Sequence, residues 1–198
     1  MPMLPLTRRQ LLIATAAVPW LARAQTAPLL VEGQPFARQV VVAGTALRLN
    51  GTGVRAVAWF KGYAAGLYLT GRATTAAQAV AMPGPKRLQM RMLQEVPAAE
   101  FVKAFNKGMV RNAGGAEVER LAPRMAQFEA LIEQTGTVRP GDVVNLDFAP
   151  ALGTLYSFNG TQRGEAIPGE DFYAVLLRSF VGDHPYDKKL RAGLLGGA

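Results

Sequence analysis

Periodicity and turn chemistry divide the chain into strand-rich and helix-rich stretches. The first half is predicted to hold strands over Arg38–Ala43, Thr45–Leu49 and a long stretch from Val54 to Leu69, with turn signals at Ala43-Gly44 and Asn50-Gly51. Pro83-Gly84-Pro85 separates a short helical piece, Thr74–Ala81, from a further strand, Arg87–Leu93. After Val96-Pro97 the period lengthens. Phe101, Ala104, Phe105, Gly108 and Met109 make one apolar stripe opposite Glu100, Lys103 and Lys107, which predicts a helix over Pro97–Asn112 with proline in its first turn. Val118, Leu121, Met125, Phe128 and Ile132 form a second stripe, jogged at Pro123.

Strands then return. Arg139-Pro140-Gly141-Asp142 is a turn leading into Val143–Ala149, and Asn159-Gly160 closes a hairpin between Thr154–Phe158 and Thr161–Ala166. Pro168-Gly169 precedes a helix over Asp171–Val181, whose start carries Glu170 and Asp171, favourable near the positive end of the helix dipole. Segregated elements joined by hairpins predict an α+β fold in which an antiparallel sheet is covered on one face by helices. No repeat, low-complexity tract or linker divides it.

The first residues show a different pattern. Thr7-Arg8-Arg9-Gln10-Leu11-Leu12 sets two arginines before an apolar run, Leu11 to Ala22, that is too short to span a bilayer and is broken by Pro19. Ala22-Arg23-Ala24 then has a small-x-small cleavage pattern. Residues 1–24 are therefore predicted to be an export signal, of ordinary secretory or twin-arginine type, and 25–198 a single domain in the periplasm or outside the cell. Arg8, Arg9 and Arg23 leave with that signal, so the formal net charge falls from +8 to +5. The mature chain has no run of five like charges and no basic stretch interleaved with aromatics. Nucleic acid is not the expected partner, and the processed chain is not expected to be an integral membrane protein.

With no Cys and a single His, the chain cannot build a thiolate or imidazole zinc site, a disulfide or a thiol nucleophile. No cofactor or metal is expected. Gly51-Thr52-Gly53-Val54-Arg55-Ala56 matches a dinucleotide-binding fingerprint, but the stretch after it reads as strand and no acidic residue stands between Glu32 and Glu95 to hold a ribose. His184, in Gly182-Asp183-His184-Pro185, reads as a helix-end residue that helps to cap the last carbonyls. Ser179 is different, because Phe172, Val175, Leu176 and Phe180 place it within an apolar stripe. Its hydroxyl either bonds back to the Val175 carbonyl or faces a cleft between helix and sheet.

Three segments carry a resemblance: Asn50-Gly-Thr-Gly-Val-Arg55, Phe60-Lys-Gly-Tyr-Ala-Ala-Gly-Leu-Tyr-Leu69 and Val175-Leu-Leu-Arg-Ser-Phe-Val-Gly-Asp-His184. Together they resemble the chalcone isomerase superfamily, specifically its bacterial exported branch, over roughly Phe36 to Leu195. The resemblance implies an open-faced β-sandwich with the ligand held between the large sheet and the helices. It implies that Arg55 is the arginine that fixes a phenolate or carboxylate, that Tyr63 stands where the family has a threonine, and that Ser179 supplies the late-helix hydroxyl. It also implies that two polar contacts of the middle helix are absent, since the positions of the family's tyrosine and asparagine hold Phe101 and Gly108.

The expected site is thus a wall of Phe101, Phe105, Gly108 and Met109 around three polar groups, Arg55, Tyr63 and Ser179. Lys61 is a weaker anion-binding candidate, and Trp59 and Tyr68 are expected to pack rather than to stack on a ligand. On one straight strand Arg55 and Tyr63 would lie roughly 26 Å apart, so they share a site only if the chain bends or reverses near Ala58–Lys61. An apolar cavity with a few convergent polar groups suits a small anionic amphipathic ligand, such as a fatty acid or a phenolic acid. Two alternatives stand beside that reading. One is an intramolecular lyase closing a C–O ring on a chalcone-like substrate, with Arg55, Tyr63 and Ser179 as its catalytic groups; the other is a partner-binding module without a small ligand.

Overall fold

The computed structural model describes residues 27–57 and 60–197. The predicted export signal, its cleavage site at Ala24 and Trp59 lie outside the described residues. In chain order the elements are β1 (Leu29–Val31), β2 (Gln34–Phe36), β3 (Gln39–Val42), β4 (Thr45–Val57), β5 (Phe60–Leu69), α1 (Ala76–Ala81), β6 (Lys86–Met92), β7 (Val96–Pro97) and α2 (Ala98–Asn112). Next come α3 (Gly115–Glu133), β8 (Thr137–Val138), β9 (Val143–Ala149), β10 (Gly153–Phe158), β11 (Thr161–Ile167), α4 (Glu170–Val181) and α5 (Lys188–Leu194).

Seven strands form one antiparallel sheet in the order β11-β10-β9-β6-β5-β4-β3, curled so that β3 comes back towards β9. Alternation along the strands separates its two faces. In β6, Leu88, Met90 and Met92 point into the main core beneath the helices, whereas Arg87, Gln89 and Arg91 point to the other face. That second face is held by polar pairs: Arg87 donates to both Asp147 carboxylate oxygens at 2.7 and 2.6 Å, and Gln89 donates to Asn145 at 2.9 Å. The helical layer covers the first face, with α2 against α3 and α4, and α5 against β4. The α+β, open-faced β-sandwich reading is the observed architecture.

Two turn readings are corrected. The stretch 54–69 is not one strand, because the chain reverses between Val57 and Phe60 and lays β4 against β5. Conversely, Asn50-Gly51 is not a turn and lies inside β4. The glycines there serve helix packing: a Cβ on Gly53 would come within 2.8 Å of the Leu190 carbonyl oxygen, and one on Gly51 would run into the backbone of Gly193. A glycine strip lets α5 lie directly on the strand backbone. Asn50 fastens that contact. Its side-chain amide donates to the carbonyls of Ala73 at 2.9 Å and Leu194 at 2.8 Å, and its oxygen accepts from the Ala73 N–H at 2.7 Å.

Two proline placements also differ from expectation. Pro97 is the N-cap of α2 and not part of its first turn, and Pro123 sits within a single helix, α3. Neither the β1–β2 hairpin nor α5 is visible in the sequence pattern. At the start of α4, Asp171 receives two hydrogen bonds from Arg124, at 2.7 and 2.8 Å. Those bonds hold its carboxyl at about 2, below the ordinary 3.8. The folded value lies below the unfolded one, so this pair stabilises the protein above pH 3.8 and the contribution disappears as the pH falls towards about 2. Melting temperature measured against pH should therefore fall less steeply across that window in Asp171→Asn than in the parent protein.

Candidate functional site

A cavity lies between the sheet and the helical layer. Its floor is built by strand positions that alternation turns towards the helices: Tyr63, Met90, Val144, Leu146 and Tyr156. Its roof comes from the amphipathic faces of two helices, with Phe101, Ala104 and Phe105 on α2 and Phe128 and Ile132 on α3. Phe105 and Phe128 meet with ring centroids 4.9 Å apart, which closes the inner wall. An outer vestibule lined by Phe60, Gly62, Val96 and Glu100 adjoins this cavity and shares Arg55, Tyr63, Phe101 and Ala104 with it. Arg55 and Tyr63 therefore stand at the passage from vestibule to interior.

The hairpin reversal brings these two together, since Arg55 and Tyr63 are direct cross-strand partners of β4 and β5. Burial pushes the Tyr63 phenol up from its ordinary range, the Arg55 guanidinium partly opposes this, and Asp187 adds a smaller upward push. A third polar group comes from the segment between α4 and α5. The Arg55 guanidinium lies 5.2 Å from the ring centroid of Tyr186. Burial again raises this phenol well above its usual value, helped by neighbouring Tyr63 and opposed by Ser179 and Arg55. Both phenols are protonated at neutral pH and stand beside a fixed cation. Among the described residues no carboxylate lies within 4.0 Å of a side-chain nitrogen of Arg55.

Tyr186 is the group that sequence reasoning missed. Its position depends on Gly108, because a Cβ there would collide with the phenol ring and hydroxyl. The Asn112 side chain ties the segment down by donating to the carbonyls of Gly108 at 2.9 Å and His184 at 3.0 Å, and the Tyr186 N–H donates to the Ser179 carbonyl at 2.8 Å. His184 is exposed and takes part through its backbone. Tyr186 also packs edge-on against Phe180, at 4.9 Å. The available signal was a glycine inside an apolar helical stripe, a choice that costs about 1 kcal/mol in helix propensity and so asks for a packing reason. Gly108→Ala should lower stability by about 1–3 kcal/mol despite the better helix former, because the phenol must move; thermal unfolding is the measurement.

The expected site residues are thus only partly assembled. Arg55, Tyr63, Phe101 and Phe105 line the cavity. Gly108 and Met109 are buried but do not line it, since α4 and Tyr186 fill the space beside that turn of α2. Ser179 is fully buried and donates to the Val175 carbonyl at 3.2 Å, so it reaches the site only through its contact with Tyr186. Beside Gly108 stands the Tyr186 phenol, from the segment between α4 and α5. Lys61 faces away and pairs with both Glu32 oxygens at 2.9 Å, so it is not a free anion binder. Tyr68 is fully buried and packs with Val42 and Leu47 on the sheet face away from the helices. Among the described residues, no group of three acidic or imidazole side chains could hold a metal, and no helix is long and apolar enough to cross a membrane.

The family model described as chalcone isomerase-like matches residues 29–196. No curated protein matches the chain. Among solved structures, the crystal structure of a fatty-acid binding protein from Arabidopsis thaliana superposes with a TM-score of 0.65 at 14% identity, covering 85% of this chain and 95% of that one.

Proposed function

We propose, from the premise that the chain belongs to the chalcone isomerase-like family, that it binds an amphipathic acid: the carboxylate on Arg55 and the apolar body in the cavity between sheet and helices. One observation carries this reading. Arg55 stands at the mouth of an apolar cavity, with no carboxylate of the described residues within 4.0 Å of its side-chain nitrogens, between two phenols that burial holds protonated. An arginine fork with the Tyr63 hydroxyl beside it matches the acceptors of a carboxylate, and such pairing strengthens away from water. The fatty-acid binding function named for the Arabidopsis structure supports the same ligand class. The signal-like first 24 residues support an exported protein that meets its ligand outside the cytoplasm.

Native mass spectrometry of protein isolated from its own compartment tests the proposal. An acid that co-purifies, and is lost in Arg55→Ala, is the expected result. An empty protein that cyclises a chalcone would place catalysis ahead of binding. An empty, inactive protein recovered crosslinked to another would favour a partner-binding module.

A further inference from the structure

The cavity has a second polar pole, far from Arg55. Tyr156 on β10 and the half-buried Thr135, two residues beyond the end of α3, both line it, and their oxygens lie 2.8 Å apart. Thr135 Oγ1 also lies 3.2 Å from the Leu131 carbonyl oxygen. A carbonyl only accepts, so the single threonine hydrogen is directed there. The 2.8 Å contact must then carry the tyrosine hydrogen. Tyr156 is left with acceptor lone pairs and no donor. Burial raises its phenol above the ordinary range, so it remains neutral.

Strand register gives the separation of the two poles. Tyr63 is level with Met92, Leu88 is level with Leu146, and Leu146 is level with Tyr156. The poles are therefore three strands across and four residues along. Along this curled sheet that is at most roughly 19 Å between Cα atoms. The floor between them is Met90, Val144 and Leu146, with no charge.

We infer that the ligand is an elongated acid carrying a hydroxyl near its far end, with the carboxylate on Arg55 and the hydroxyl donated to Tyr156. This rests on the acid-binding reading above and narrows it. A plain alkyl terminus would leave the Tyr156 acceptor unused. A second carboxylate would face acceptor lone pairs.

Isothermal titration with three matched series tests this: alkanoic acids, their ω-hydroxy analogues and α,ω-diacids, from octyl to hexadecyl length. At the best length the ω-hydroxy acid should bind about tenfold tighter than the alkanoic acid, the scale of one added hydrogen bond. Tyr156→Phe keeps the edge-on contact with Phe128 and should remove that preference, so that the ω-hydroxy and alkanoic acids of one length bind the variant equally. Should Tyr156→Phe fail to fold, Thr135→Val serves instead. It frees the tyrosine hydrogen, and the preference should pass to ligands ending in a ketone or ester. Equal binding of hydroxylated and plain acids at every length, or tighter binding of the diacid, overturns the second pole and leaves the acid-binding reading standing. Failure of all three series to bind overturns that reading and this inference with it.

Discussion

Arg55→Ala is expected to weaken binding of a long-chain carboxylate on the order of a hundredfold, because charge-assisted hydrogen bonds to a buried anion are worth about 1.5–3 kcal/mol. Arg55→Lys should recover only part of this, since an ammonium cannot present the planar fork. The same variants should melt within about 1 kcal/mol of the parent protein, as removing a cation that lacks a protein carboxylate leaves no acid orphaned. Titration calorimetry and thermal unfolding on the same samples separate the two effects. A large loss of stability with unchanged affinity would show that Arg55 supports the fold and not the ligand.

Asn50→Ala should have the largest effect on stability. One side chain bonds the Ala73 N–H, the Ala73 carbonyl and the Leu194 carbonyl, all within buried structure. Truncation leaves those backbone groups without a partner, at a cost of about 3–5 kcal/mol. For a domain of this size that corresponds to a fall of about 10 °C in melting temperature. The loss should be accompanied by release of α5, because Leu194 closes that helix over the glycine strip of β4. Proteolysis near residues 188–197 would report it. Asn50→Asp keeps one acceptor but loses both donations, and should lie close to the alanine variant.

Some of this architecture was legible because local rules sufficed. The stripe Phe101, Ala104, Phe105 specifies an amphipathic α2, and those side chains do form the cavity roof. Asn159-Gly160 specifies the β10–β11 hairpin through its positive φ angles, 50° and 81°. The reversal between Val57 and Phe60 carries no such signal. No Gly-Gly, Asn-Gly or Pro marks it, so two apolar strands merge into one pattern. The glycines of Gly51-Thr52-Gly53 were read through their preference for turns, whereas their use here is the absence of a side chain beneath α5.

By itself, the sequence determined the layered α+β plan, the apolar faces that meet to make the cavity and, through the absence of Cys and the single His, the exclusion of thiol and thiolate–imidazole metal chemistry. Only the tertiary structure decided which polar groups converge. Arg55 meets Tyr63 through strand register, Tyr186 reaches them over a glycine on a different element, and Thr135 comes within 2.8 Å of the Tyr156 hydroxyl. Periodicity reports which face of an element is apolar, a property of neighbours within the chain. Convergence depends on how elements far apart in sequence are laid across one another, and no local pattern encodes that.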